Sequence, residues 1–505
     1  MESLPTEILQ HISRYLCFHC LRPGVFPNAD SHLVCLDKRS LSRLCRTSRR
    51  MCAIAQPILY HYYATGNLPV EAGFGLQHTV GGISEDDKLP LFLRTLLQRP
   101  DLAAHIRALQ LVQCQILKWY PDDLARALGI KMRQLDIMPP KNGASLQLRS
   151  CDAHAPDVDI IASLRRHAWL EQLAVALSPG LEMLLVAQTN GSQFFRHAKQ
   201  LVIPRLRTLA IRGYSGQYYF SGAISLITTA PCLETLYLLD CFYYTGWSGV
   251  FDAPLQSILA NLRRLVVSDL RAQHLERLLG SCSQLQDLEY YQRRGASIWN
   301  VGQVVQSLMP AKDTLRRLYF ACLPTASIWF DQRNHLEPGE AFHISRGPAH
   351  GYEDALTVSY DTSAIELLSE FAQLEELGLD QASIYSPINN DPETNPGRLA
   401  RLLPPRLQRL RVMYVYRGMA GDLCRLGREA AVSSPELTHV RLGEAIFVMP
   451  GREAGVAQMR RVKSIRTATG RAISVSWTTD RPGADARTRI PGGTVHPHFV
   501  PCPVD

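Results

Sequence analysis

Lysine is nearly absent from this chain: 8 of 505 residues against 46 arginines, so its positive charge sits almost wholly on guanidinium groups. Also missing is any apolar run near the ~18 residues of a membrane-spanning helix, so no helical span is expected. The thirteen cysteines, from Cys17 to Cys502, follow no disulfide-framework spacing. Reduced thiols in the cytoplasm or nucleus are the expectation, not a stapled secreted scaffold. Glu2, Glu7 and Arg14 fall within the opening helical pattern, which does not read as a signal peptide. Glycine (33) and proline (31) are at ordinary levels with no G-x-y period, which excludes collagen and wholesale low-complexity disorder. Catalytic signatures are lacking too: there is no H-E-x-x-H, no Walker A loop and no G-x-G-x-x-G after a strand. GYSG at Gly213 and GWSG at Gly246 lack the second spacer of a nucleophile elbow. A non-enzyme without cofactor is expected.

What the chain has in quantity is repetition. Beyond residue 100 a hexad recurs: an apolar residue, two variable ones, an apolar, a variable, an apolar. Its starts are Ile106, Met132, Leu170, Leu206, Leu233, Leu262, Leu285, Leu315, Leu374, Leu407 and Leu437. Six of the ten intervals lie between 23 and 30 residues, near the 20–29 period of leucine-rich repeats. In a strand, alternate residues point to opposite faces, so the fourth and sixth positions should enter a core and the third and fifth should face out. Helical patterns such as AQHLERLLGSC, VGQVVQSLM and AIELLSEFAQL separate the hexads. Strand-helix units of this kind stack into an α/β solenoid in which each unit needs its neighbours.

The expected organisation is a helical module over 1–65, a linker and helical lead-in over 66–100, and a leucine-rich-repeat solenoid over 101–478. A long insertion near 323–362, mixing aromatic and charged residues, suits a loop folded over one face. The Pro- and Gly-rich tail over 479–505 should be extended.

The module opens MESLPTEILQHISRYL, with Ser3 as the expected N-cap, Pro5 and Glu7 in the first turn, and Leu4, Ile8, Leu9, Ile12 and Leu16 at helical spacing. A second apolar pattern runs through Leu41, Leu44, Cys45, Met51, Ile54, Ala55, Ile58 and Leu59, with Pro57 expected to start a short final helix. Three helices this short bury little core, so some of these side chains should serve a partner. LPTEIL followed by LSRLCRTSRRMCAIAQPILYHYY resembles the F-box in the form found in fungal F-box proteins. The resemblance implies a three-helix F-box that docks a Skp-type adaptor and, through it, a cullin and a RING subunit. The family's adaptor contacts would map onto Leu4, Pro5, Ile8, Leu9, Ile12, Leu44, Cys45 and Leu59. Ubiquitin transfer in that family belongs to the partners, and the F-box chain supplies the substrate.

About twenty-four residues separate the first two helical patterns, where a compact F-box has only a few. This insertion at 17–40 contains Cys17, Cys20, His32 and Cys35, ligand types that suit a tetrahedral Zn²⁺ ion. Cys17 and Cys20 also continue the apolar helix, where cysteine serves as a small hydrophobe. Gly24, Pro27, Asn28 and Asp30 favour a solvent loop. The simpler reading is a loop with no bound metal.

Outward hexad positions nominate a target surface. Tyr237, Tyr319, Arg409, Arg411, His439 and Arg441 are its leading candidates, with Gln110, Arg264, Asp287, Glu289, Arg317 and Glu376 on the same face. Residues 398–471 hold fifteen basic and five acidic side chains, a net of +10, so the rest of a chain with net charge +8 sums to −2. Such a patch could receive an acidic or phosphorylated target protein, since arginine grips phosphate bidentately. Nucleic acid is the rival and less favoured ligand. The expected function is a substrate receptor of an SCF-type ubiquitin ligase. The alternatives are a repeat scaffold that promotes no ubiquitination and a basic solenoid that binds nucleic acid.

Overall fold

The computed structural model describes residues 4–21, 23–24, 26, 32–64, 89–112, 122–137, 168–188, 201–213, 220–239, 253–268, 270, 272–292, 301–322, 363–385, 397–415, 419–444, 459–460 and 462–479. The architecture is mixed α/β with mostly parallel strands. The chain divides into two compact units, one of Met1–Ile258 with Ala486–Asp505 and one of Leu259–Asp485.

The first unit begins with four helices: α1 (Thr6–Tyr15), α2 (Phe18–Leu21), α3 (His32–Cys45) and α4 (Arg49–Leu59). Leu9, only 1% exposed, packs with Met51, Ile54 and Leu44 and so seats α1 on α4. A second cluster joins Cys17, Leu41, Ala55 and Ile58, with Leu16, Cys20, Leu44, Cys45 and Leu59 against it. The Ser48 hydroxyl caps α4 by accepting from the Met51 amide at 3.2 Å. Arg50 donates to the Leu4 carbonyl at 2.7 Å and to Thr6 Oγ1 at 3.2 Å, tying the starts of α1 and α4 together.

Three local expectations change. Pro5, not Ser3, stands at the cap of α1 and makes no side-chain cap bond; Ser3 lies outside the described residues. Pro57 starts no new helix but sits inside α4, near enough to its end that the missing amide costs one bond in the last turn. Residues 32–40 are helical, so the segment expected as loop shortens and α3 begins nine residues before Leu41.

The first unit continues into five parallel strands paired in chain order: β1 (Tyr62–Ala64), β2 (Ala108–Val112), β3 (Met183–Gln188), β4 (Thr208–Gly213) and β5 (Thr235–Leu239). Helices over Leu89–Gln98 and Pro100–Ala103 lead into β2. The second unit holds β6 (Arg264–Ser268), β7 (Asp287–Gln292), β8 (Arg317–Cys322), β9 (Glu376–Asp380), β10 (Arg409–Val415) and β11 (His439–Glu444), parallel and in register. A parallel β13 (Ala472–Thr479) follows β11, and the short β12 (Ser464–Arg466) pairs antiparallel with β13 at the edge. Between the strands of the second unit run helices Ala272–Gly280, Val301–Leu308 and Ala420–Ser433. Ser363–Glu370, expected as α-helix, forms a 3-10 helix.

The hexads explain the strands. At Ile106, Leu206, Leu233, Leu262, Leu285, Leu315, Leu374, Leu407 and Leu437, the first, fourth and sixth residues are all buried, none more than 2% exposed. Fully burying such side chains is worth ~1.5–3 kcal/mol each. A backbone ladder accompanies them at the second position. In the first unit the His61 carbonyl accepts from the Arg107 and Ala108 amides, Arg107 from Glu182 and Met183, Glu182 from Arg207 and Thr208, and Arg207 from Glu234 and Thr235. The same double acceptance runs from Arg263 through Gln286, Arg316, Glu375 and Gln408 in the second unit. Opposite charges at neighbouring second positions pair as Arg107–Glu182 (3.5 Å), Arg207–Glu234 (3.6 Å) and Arg316–Glu375 (3.8 Å).

Two hexads are not strands. MRQLDI from Met132 begins in the last turn of helix Asp122–Gln134, and its fourth residue, Leu135, is exposed. LEQLAV from Leu170 lies in a helix over 168–176. A helix also places residues i and i+3 on one face, so the first half of the pattern fits either structure. The strand nearby is instead LEMLLV from Leu181, whose Leu181, Leu184 and Val186 are buried and which supplies β3. The insertion at 323–362, the linker segment 66–88 and the tail beyond Thr479 lie outside the described residues.

Candidate partner-binding surfaces

The N-terminal helices separate the family-derived positions into two groups. Leu4, Ile8 and Ile12 are exposed, Ile8 by 47% and Ile12 by 42%, and Tyr15 continues their line along α1 at 58%. Ile8, Ile12 and Tyr15, four and three residues apart, share one face of α1, and Leu4 lies two residues before the helix. Pro5 is exposed beside them, whereas Leu44, Cys45 and Leu59 are half-buried. Leu9 turns the other way, into the module's own core, where it seats α1 on α4. Contiguous exposed apolar side chains of this kind mark interaction surfaces in otherwise folded chains.

The outward hexad positions form a mutually paired face in the second unit. The Arg317 guanidinium grips the Asp287 carboxylate through both Nε and Nη2, and Asp287 holds Arg317 above the usual arginine range. Arg264 pairs with Glu289 at 2.8 Å. Tyr319 donates to Glu376 at 2.7 Å, and Arg409 pairs with the same carboxylate. His439 bonds Ser474 at 2.6 Å through Nδ1 and Ser476 at 2.9 Å through Nε2. Gly378 lies beneath the Tyr319 ring, and a Cβ there would collide with it. Arg411 is buried and Arg441 half-buried, both engaged with neighbours. In the first unit Tyr237 is buried, and Gln110 accepts from Tyr62 Oη at 2.8 Å.

Sequence alternation predicts direction, and here it misses exposure. Parallel strands lie ~4.8 Å apart, so neighbouring outward side chains cover one another. The arginine-rich window is also less free than its charge count implies. Arg398 is buried, Arg401 pairs with Glu366 at 3.3 Å, Arg406 donates to Gln373 at 2.8 Å, and Arg409 is committed to Glu376.

A third cluster was not legible as such. Cys17, Cys20 and His61 bring one donor atom each within 4.8 Å of one another. Cys20 Sγ lies 3.3 Å and Cys17 Sγ 3.9 Å from His61 Nδ1. The Cys20 thiol beside Cys17, together with His61, lowers the Cys17 thiol from its ordinary range despite burial. Bonding to Cys17 and burial raise Cys20. His19 packs edge-on to His61 with ring centroids 5.9 Å apart, and burial lowers its pKa, favouring the neutral ring. The side chains of His32 and Cys35, the other two members of the cysteine-histidine pattern, lie outside the described residues. His61 stands 41 residues beyond Cys20, so no local spacing could have nominated it.

Comparison with protein-family models finds no family that matches the chain, and comparison with curated proteins finds no match either.

Proposed function

We propose that this protein is a substrate receptor of an SCF-type cullin-RING ubiquitin ligase. Residues 1–65 act as an F-box that docks a Skp-type adaptor, and the strand-helix units act as a leucine-rich-repeat solenoid that holds a target protein. The reading assigns the chain no catalytic step of its own. The observation that carries it is the exposed apolar line of Ile8, Ile12 and Tyr15 on α1, with exposed Leu4 just before the helix and Leu9 locked beneath it. Of these, Leu4, Ile8 and Ile12 coincide with adaptor contacts implied by the LPTEIL resemblance, and Tyr15 extends their line. The hexads and their backbone ladder support the repeat assignment. Pairing of Arg264, Arg317 and Arg409 with carboxylates weighs against nucleic acid, because a phosphate backbone would have to displace those partners.

The test is co-purification of the full chain with a Skp-type adaptor. Wild type should bind, and Ile8→Asp with Ile12→Asp should weaken binding by about a hundredfold or more, since central apolar contacts each contribute ~2 kcal/mol or more. Both positions are exposed, so thermal stability should barely change. No binding by folded wild type, or full binding by the double variant, would overturn the assignment.

A further inference from the structure

The structure places two cysteines of the N-terminal insertion against a histidine from the far end of the helical module, and we propose that Cys17, Cys20 and His61 bind a Zn²⁺ ion. The two cysteines span one helical turn, in which the Cys20 and Leu21 amides donate to the Cys17 carbonyl at 3.0 and 3.1 Å. A C-x2-C turn directs two sulfurs to one side, as paired zinc thiolates require. His61 occupies the junction between α4 and β1, and its carbonyl is anchored by the Arg107 and Ala108 amides, both at 2.9 Å. Its Nδ1 is thereby presented to the sulfurs from a fixed backbone.

The spacing matches the ion. Bonds of ~2.3 Å to sulfur and ~2.0–2.1 Å to nitrogen at a tetrahedral angle put the two donors ~3.5 Å apart. The separations of 3.3 and 3.9 Å bracket that value. Two thiolates balance the charge of the ion and the imidazole is neutral, so the assembly buries no net charge. Leu41, Ala55 and Ile58 pack around Cys17, which is 4% exposed, so one side of the site is shielded from solvent. Cys20 and His61 are half-buried, so solvent reaches the other side of the site, and water can serve as the fourth ligand. Sulfur and imidazole donors suit zinc and do not suit magnesium or calcium. The ion would bind the turn after α1 to the start of β1.

The experiment measures metal in the purified full-length chain from zinc-replete cells, after dialysis into metal-free buffer. Wild type should carry about one zinc per chain. Cys20→Ser and His61→Ala should each fall below about 0.2 equivalents, while Cys424→Ser, at an exposed thiol of the second unit, should keep its zinc. Cobalt exchanged into wild type should show thiolate charge-transfer bands and the ligand-field pattern of a tetrahedral site. That spectrum decides the matter alone if the variants do not fold. Wild type with under about 0.2 equivalents, copper in place of zinc, a Cys17–Cys20 disulfide, or undiminished zinc in Cys20→Ser or His61→Ala would overturn the proposal. None of these readouts involves the adaptor, so they stand apart from the ligase reading.

Discussion

Along α1 and just before it, Leu4, Ile8, Ile12 and Tyr15 stand exposed, whereas along β6 to β11 the prominent charged side chains are matched by their own neighbours. The two surfaces would bind partners by different physics. Apolar area on α1 gains ~25 cal/mol per Å² when a partner covers it, with little to break first. A partner on the strand face must either leave the Arg317–Asp287 and Arg409–Glu376 pairs intact or replace both members, because separating one leaves a charge without its match. A partner on that face would therefore be selected by shape and by hydrogen bonds to the paired groups more than by net charge. The +10 of residues 398–471 is a count of residues and not a measure of available field.

Three experiments sharpen the contrast. The largest effect should come from Leu9→Ala, which empties the α1–α4 core and should cost ~2–5 kcal/mol by denaturant unfolding. Ile8→Ala, one residue away on the exposed face, should change the same measurement by less than ~0.5 kcal/mol. Equal effects at the two positions would mean that α1 has no distinct outer face. Next, Gly378→Ala should push the Tyr319 ring off β9 and lower stability by ~1–3 kcal/mol; an unchanged melting curve would show that Tyr319 is not held there. A smaller effect than that of Gly378→Ala belongs to the ladder of paired charges along the strand face. A double-mutant cycle on Asp287→Ala and Arg317→Ala should give a coupling of ~1 kcal/mol or less, since half of the Arg317 side chain is in solvent. A coupling of several kcal/mol would make the ladder a main source of stability instead of a guide to register.

Much of this fold is written in local pattern. Nine hexads read from sequence are strands with the expected inward residues, because a two-residue alternation anchored by leucine states both direction and burial. Met132 and Leu170 mislead because their first two apolar residues are spaced equally well for a helix. Leu181, eleven residues after Leu170, fell in the shadow of that match. With it restored, the interval to Leu206 is 25 residues, inside the usual repeat period. The sites were less legible. Leu9 and Ile8 are adjacent apolar residues, and only the position of Met51 and Ile54 decides which of them is core. Pairs such as Arg317 with Asp287 join residues 30 apart, and His61 meets Cys20 across 41, distances at which sequence carries no spacing signal.

His61 also closes α4 and opens the first rung of the strand ladder within a single residue. The N-terminal helices are for that reason no detachable cassette. A fragment that stops at residue 65 takes β1 away from β2 and strips the His61 carbonyl of both amide donors. Grafting these helices onto another scaffold would require a replacement first rung, and exchanging the repeats beneath them would have to preserve the register of Tyr62 on Ala108.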